Sequence, residues 1–128
     1  MQDFNSALEP VLAQDPRFPR EAYFFVREAL DHTQELLAKR GGKLPRHVSG
    51  MELLDGIRDL AIKQFGPMAI TVFDEWQIRR CEDLGEIVFN LVENKILSKT
   101  DEDSREDFKR GYDFTEAFRR PYLPTPRN

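Results

Sequence analysis

Cysteine, histidine and long apolar runs are all scarce in this chain, and each scarcity closes off a class of chemistry. One cysteine, Cys81, in 128 residues permits no intrachain disulfide and calls for no oxidising compartment. The two histidines, His32 and His47, form no H-E-x-x-H pair, and neither a paired C-x-x-C nor a P-loop lysine motif occurs. No apolar run approaches the ~18 residues of a transmembrane helix. The first fifteen residues contain Asp3, Glu9 and Asp15 and lack a basic stretch ahead of an apolar one, so no secretory signal is read. The expectation is a cytoplasmic protein without metal, cofactor or membrane span.

What is present describes one soluble domain. Hydrophobic residues make up 40% and charged residues 33% of the chain, and ten phenylalanines supply core volume. The expected division is a helical domain over 1–120 and an extended, proline-containing tail over 121–128. A net charge of −4 argues against nonspecific coating of nucleic acid, which relies on clustered cations. The charge is uneven, however. Lys39, Arg40, Lys43, Arg46 and His47 stand together with no acid among them, and after Glu116 come only Arg119, Arg120 and Arg127.

Periodicity predicts a mainly α, compact bundle of about five helices. Ser6 and Glu9 have capping-box spacing ahead of Leu8, Val11 and Leu12, which suggests a short first helix interrupted by Pro10. After the breaker DPRFP, Ala22, Val26, Ala29, Leu30, Thr33, Leu36 and Leu37 recur at helical spacing until Gly41–Gly42. In RHVSGMELLDGIRDLAIKQFGP, Ser49 and Glu52 form a capping box, and Gly66–Pro67 supply the stop. Asp59 and Lys63 are spaced for an i,i+4 ion pair. Helices are also expected over 67–77 and 81–94. Residues 95–99 with 108–114 could pair as a hairpin, or Asp113 to Glu116 could cap a short helix. Three helices followed by a hairpin would make a winged-helix-like arrangement.

The stretches DPRFPREAYFFVREALD, RHVSGMELLDGIRDLAIKQFGPMA, EDLGEIVFNLVENKIL, KTDEDSREDF and YDFTEAF together resemble a bacterial protein family known chiefly by a locus-tag name and without assigned function. They run from Asp15 to Phe118. The family pattern implies glycine where Gln77 stands and threonine where Cys81 stands. Glutamine weakens the helix stop after Trp76, and cysteine is a poorer N-cap than threonine. The resemblance implies no reaction, ligand or catalytic residue.

Candidate sites are few. The basic loop Lys39, Arg40, Lys43, Arg46 and His47, with Arg79 and Arg80, is the candidate anion or nucleic-acid contact, because it leads to a helix N-terminus. The competing account of His47 is a solvated loop histidine. D-E-D-S-R from Asp101 is rejected as a calcium loop, since Arg105 and Glu106 stand where an oxygen ligand and a glycine are wanted. Cys81 reads as a substituted capping residue rather than a reactive thiol. Trp76, Phe73 and Phe89 read as core.

Three functions follow. The first is a non-catalytic interaction or regulatory module that binds another protein. The second is a nucleic-acid- or ribosome-associated protein using the basic loop; carboxylates on the helix at 81–94 count against reading DNA with it. The third is a small enzyme built on carboxylates such as Glu21, Asp55 or Glu86.

Overall fold

The computed structural model describes residues 3–41, 47–97 and 105–124, all helical or in turns and loops, with no strand among them. The elements are α1 (Phe4–Gln14), α2 (Arg20–Lys39), α3 (Gly50–Phe65), α4 (Ala69–Glu75), α5 (Cys81–Glu93) and α6 (Arg105–Lys109). Short 3-10 turns cover Gly66–Met68 and Arg120–Tyr122, and a π turn covers Thr115–Arg119.

The α2–α3 pair organises the molecule. The two helices run antiparallel: the Phe25 and Phe65 rings meet tilted at 5.4 Å, Gln64 donates to Glu28 (2.7 Å), and His32 Nε2 meets Asp59 Oδ2 at 2.6 Å. Their closest approach is set by Gly56, where a Cβ would stand 1.8 Å from the hydroxyl of the buried Thr33. That hydroxyl donates to the Ala29 carbonyl of its own helix (2.7 Å), so burying it leaves no donor unpaired.

The α3 start is built as its sequence predicts. Ser49 Oγ accepts from Glu52 N–H (3.1 Å) and Glu52 Oε1 accepts from Ser49 N–H (3.0 Å). The Asp59–Lys63 pair forms at 3.0 Å. Gly66, at φ 53, takes the left-handed backbone that ends the helix, and Pro67 opens the 3-10 turn.

Aromatic rings fill the centre. Phe73, fully buried, touches Phe25, Trp76, Phe114 and Phe118, with ring centroids 5.6, 6.0, 5.6 and 5.2 Å away. Phe89 lies apart from this group and meets Phe108 edge-on at 6.1 Å. Trp76, Phe73 and Phe89 are therefore packing residues, in two separate places.

Several expectations need correction. The α1 cap is Asp3, whose Oδ1 accepts from Ser6 N–H (2.7 Å), so the helix begins ahead of Ser6 and carries Pro10 inside it. The expected helix over 67–77 is a 3-10 turn followed by the seven-residue α4. Neither the hairpin nor the winged-helix arrangement is formed among the described residues. Phe108 belongs to α6 and sits against Gly85 of α5, where a Cβ would meet its ring carbon Cγ at 2.8 Å. Phe114, Ala117 and Phe118 bury at i, i+3 and i+4, a helical spacing, and Asp113 Oδ2 accepts from Glu116 N–H (3.1 Å) to start that turn. The short-helix alternative for 113–116 is the one realised. Arg120–Tyr122 forms a further 3-10 turn, and the backbone is extended at Leu123.

Candidate interaction surface

Among the described residues, the basic side chains singled out by sequence near the end of α2 stand apart from Arg79 and Arg80. Lys39 is the last residue of α2 and Arg40 follows it, both exposed. Lys43 and Arg46 lie outside the described residues. His47 is exposed on the approach to α3. Arg79 and Arg80 instead share a surface depression of about 560 Å³ with Pro16, Arg17, Phe18, Gln77 and Asp83. Residues 16–18 lead into the start of α2, whereas Lys39 and Arg40 close its far end, ~30 Å along the helix axis.

Two turns build the depression. In the first, Asp15 accepts from the backbone N–H of Arg17 (3.2 Å) and from its Nε (2.8 Å) and Nη2 (2.6 Å), a fork that fixes the guanidinium. Arg17 also lies over the Phe18 ring at 5.0 Å and reaches Glu86 of α5 at 3.4 Å. In the second turn, Gln77 adopts a left-handed φ of 66, which ends α4 and redirects the chain. Arg79 Nε donates to Asp74 (2.8 Å) and its Nη1 donates to Gln77 Oε1 (3.0 Å). Asp83 Oδ2 accepts the backbone N–H groups of Arg79 (2.9 Å) and Arg80 (3.2 Å). Those donors at the α5 start are thus already satisfied. Arg80 is held most loosely, with Nη1 3.7 Å from Glu82.

Asp15 ties this turn to the bundle. Asn90 of α5 donates from Nδ2 to Asp15 (2.9 Å) and to the hydroxyl of the buried Tyr23 (3.0 Å). The Arg17 guanidinium, aided by Asn90, holds the Asp15 carboxyl well below the usual carboxylate range. Arg17 and Arg79 are therefore fixed guanidiniums rather than free, mobile cations, with Arg80 the loosely held third.

Its net charge is not positive. Asp15, Asp74, Glu82, Asp83 and Glu86 stand around Arg17, Arg79 and Arg80, so carboxylates outnumber guanidiniums. Sequence reasoning identified Arg79 and Arg80 and missed Arg17. DPR could have signalled an Asp-anchored turn, but nothing local to it tells that residues 77–83 pack alongside.

The other candidates are packing or pairing groups. Cys81 is not a capping residue; it is the first residue of α5, buried, and its thiol donates to the Tyr112 carbonyl (3.2 Å). Burial pushes that thiol up to about 11, away from the thiolate form that reacts. The Tyr112 hydroxyl donates to the Leu54 carbonyl (2.7 Å) under the Arg58 guanidinium, and burial raises its pKa as well. Of the carboxylates weighed for an enzyme, Glu86 faces Arg17 and Asp55 lies 3.9 Å from Arg58, while Glu21 is exposed in the first turn of α2. Among the described residues no group of three His, Cys, Asp or Glu side chains could hold a metal ion, and no helix is long and apolar enough to cross a membrane. No family model, curated protein or solved structure matches the chain.

Proposed function

We propose that the protein is a non-catalytic, cytoplasmic interaction module. Its partner is another protein, docked by a mixed-charge segment on the depression lined by Arg17, Arg79 and Arg80, with its carboxylates on the guanidiniums and its cations on the surrounding acids. The observation that carries this reading is the convergence of three guanidiniums, from two distant turns, with Arg17 and Arg79 each fixed by a carboxylate. Arginines held in place before binding lose little side-chain freedom on docking, and such residues are enriched among those that dominate interface energies. The Arg17 Nη1 and Arg79 Nη2 groups take no part in the bonds described above and supply donors for a carboxylate.

The nucleic-acid alternative is less well supported at this place. A polyphosphate carries no cation of its own to set against Asp15, Asp74, Glu82, Asp83 and Glu86, so repulsion from these would offset its attraction to the arginines, whereas a mixed-charge segment can pair with both.

Amide shifts on titration with two probes test the choice. A mixed-charge peptide of repeating Glu, Tyr and Lys should move Gln77, Arg79, Arg80 and Asp83, with the effect abolished in Arg79→Glu/Arg80→Glu. A single-stranded oligonucleotide should move them less. Stronger oligonucleotide binding, or a mixed-charge peptide that leaves these amides untouched, would overturn the reading.

A further inference from the structure

The turn that ends α4 would be easier to build from glycine than from the glutamine it carries. Gln77 N–H donates to the Asp74 carbonyl (3.0 Å) and Ile78 N–H to the Phe73 carbonyl (2.8 Å), the paired bonds of a Schellman stop. Ile78, fully buried, pins the far side of the turn. Such a stop needs a left-handed residue at 77, and glutamine takes that backbone at φ 66. After α2 and α3 the chain places glycine at positive φ, at Gly41 (φ 86) and Gly66 (φ 53).

What glutamine adds is a side chain at the edge of the depression. Gln77 is exposed and lines it with Arg17, Arg79 and Arg80. Its Oε1 accepts from Arg79 Nη1 (3.0 Å), while Asp74 Oδ1 accepts from Arg79 Nε (2.8 Å). The guanidinium is thus gripped at two of its nitrogens, and a neutral amide supplies the second grip without adding a carboxylate to a rim already rich in them. Because the amide oxygen is given to Arg79, the amide nitrogen of Gln77 is left as a donor.

We propose that Gln77 is a positioning residue of this surface, kept in a strained backbone because its side chain holds the Arg79 guanidinium ready for a partner's carboxylate. The inference rests on the docking surface proposed above. Strain at a single residue points to function where the strained side chain has a use at the site, and holding Arg79 is that use. Folding and binding are then opposed at this position: relaxing the backbone with glycine releases the arginine, which must be ordered again when the partner docks. Lys95, at φ 62 just after the far end of α5, bears the same backbone cost outside the depression.

Titration of the full chain with the mixed-charge peptide of repeating Glu, Tyr and Lys, paired with urea unfolding, tests this. Gln77→Gly should raise stability yet weaken peptide binding roughly three- to tenfold, the scale of one hydrogen bond. Gln77→Met keeps a side chain of similar length and the strained backbone but has no such acceptor, so it should weaken binding to a similar degree without gaining stability. Lys95→Gly should gain stability and bind as the parent does. In the free protein, nuclear relaxation of the Arg79 Nε–H group should show greater mobility in Gln77→Gly and Gln77→Met, and Gln77→Glu, which keeps an acceptor, should restore its order. Parent-like binding by Gln77→Gly or Gln77→Met overturns the inference and leaves the docking surface standing. So does an Arg79 equally rigid in all variants, a loss of binding in Lys95→Gly, or a Gln77→Gly less stable than the parent. A parent chain whose Gln77, Arg79, Arg80 and Asp83 amides ignore the peptide overturns the docking surface, and this inference with it.

Discussion

Gly56 on α3 faces Thr33 on α2 so closely that a methyl carbon there would lie 1.8 Å from the Thr33 hydroxyl and 2.9 Å from its Cβ. The glycine is a contact residue, since it lets two long helices meet across a hydroxyl that is satisfied within its own turn. Gly56→Ala should therefore destabilise the fold although alanine is the better helix former. Overpacking of ~3 kcal/mol against a propensity gain of ~1 kcal/mol leaves a loss of about 2 kcal/mol. Urea unfolding measures it. Adding Thr33→Ala should recover part of the loss, because the hydroxyl contact goes while the Cβ contact remains; strict additivity of the two changes would contradict this packing account.

Gln77 carries a left-handed φ of 66 with a side chain, a conformation that costs roughly 1–2 kcal/mol for residues other than glycine. Glycine at this position removes that strain at some cost in chain entropy. Gln77→Gly should raise stability by about 0.5–1 kcal/mol. Lys95, at φ 62 just after α5, should respond in the same direction. A lowered unfolding midpoint for Gln77→Gly would show that the Gln77–Arg79 hydrogen bond outweighs the strain.

These two positions also show what local pattern can and cannot convey. The capping box at Ser49–Glu52, the stop at Gly66–Pro67 and the Asp59–Lys63 pair depend on neighbours three or four residues away, and all three formed as read. Nothing local to the sequence marks Gly56, because its reason is Thr33, on another element. Arg17 was missed for the same cause: its place beside Arg79 and Arg80 is a tertiary fact. The segment from Phe108 was ambiguous because four spaced aromatics suit either a strand or a helical turn. What decided it was a place for Phe108 against Gly85, with burial of Phe114 and Phe118 around Phe73.

Asp15 gives the fold an acid-labile tie. Its folded pKa is depressed by Arg17 and Asn90, so its contribution is fully present above the unfolded value of ~4 and is lost as pH falls toward the folded value. Asp59, lowered by His32 and Lys63, acts in the same sense. Unfolding free energy measured from pH 6 down to pH 2 should therefore decline, and Asp15→Asn should flatten that decline. At neutral pH the same substitution should cost about 1–2 kcal/mol, the scale of a lost charged hydrogen bond. A variant as acid-sensitive as the parent would place the effect elsewhere.

Cys81 should be silent toward thiol reagents while the protein is folded. Its Sγ is engaged with the Tyr112 carbonyl and packed against Gly111, and its pKa is pushed up to about 11. At pH 8 the native thiolate fraction is small and access is closed, so alkylation should proceed through opening of the structure. The rate should rise with urea in step with unfolding, and Gln77→Gly should slow it if that substitution stabilises the fold. The raised pKa has a second consequence. Between the unfolded thiol value of ~8.5 and the folded one, the unfolded state binds fewer protons, so stability falls as pH rises through that window. Cys81→Ser, which keeps the donor to Tyr112 and does not ionise there, should remove this part of the alkaline slope. Rapid labelling of the native protein at pH 8, unaffected by urea below the transition, would mean that Cys81 is reachable without unfolding.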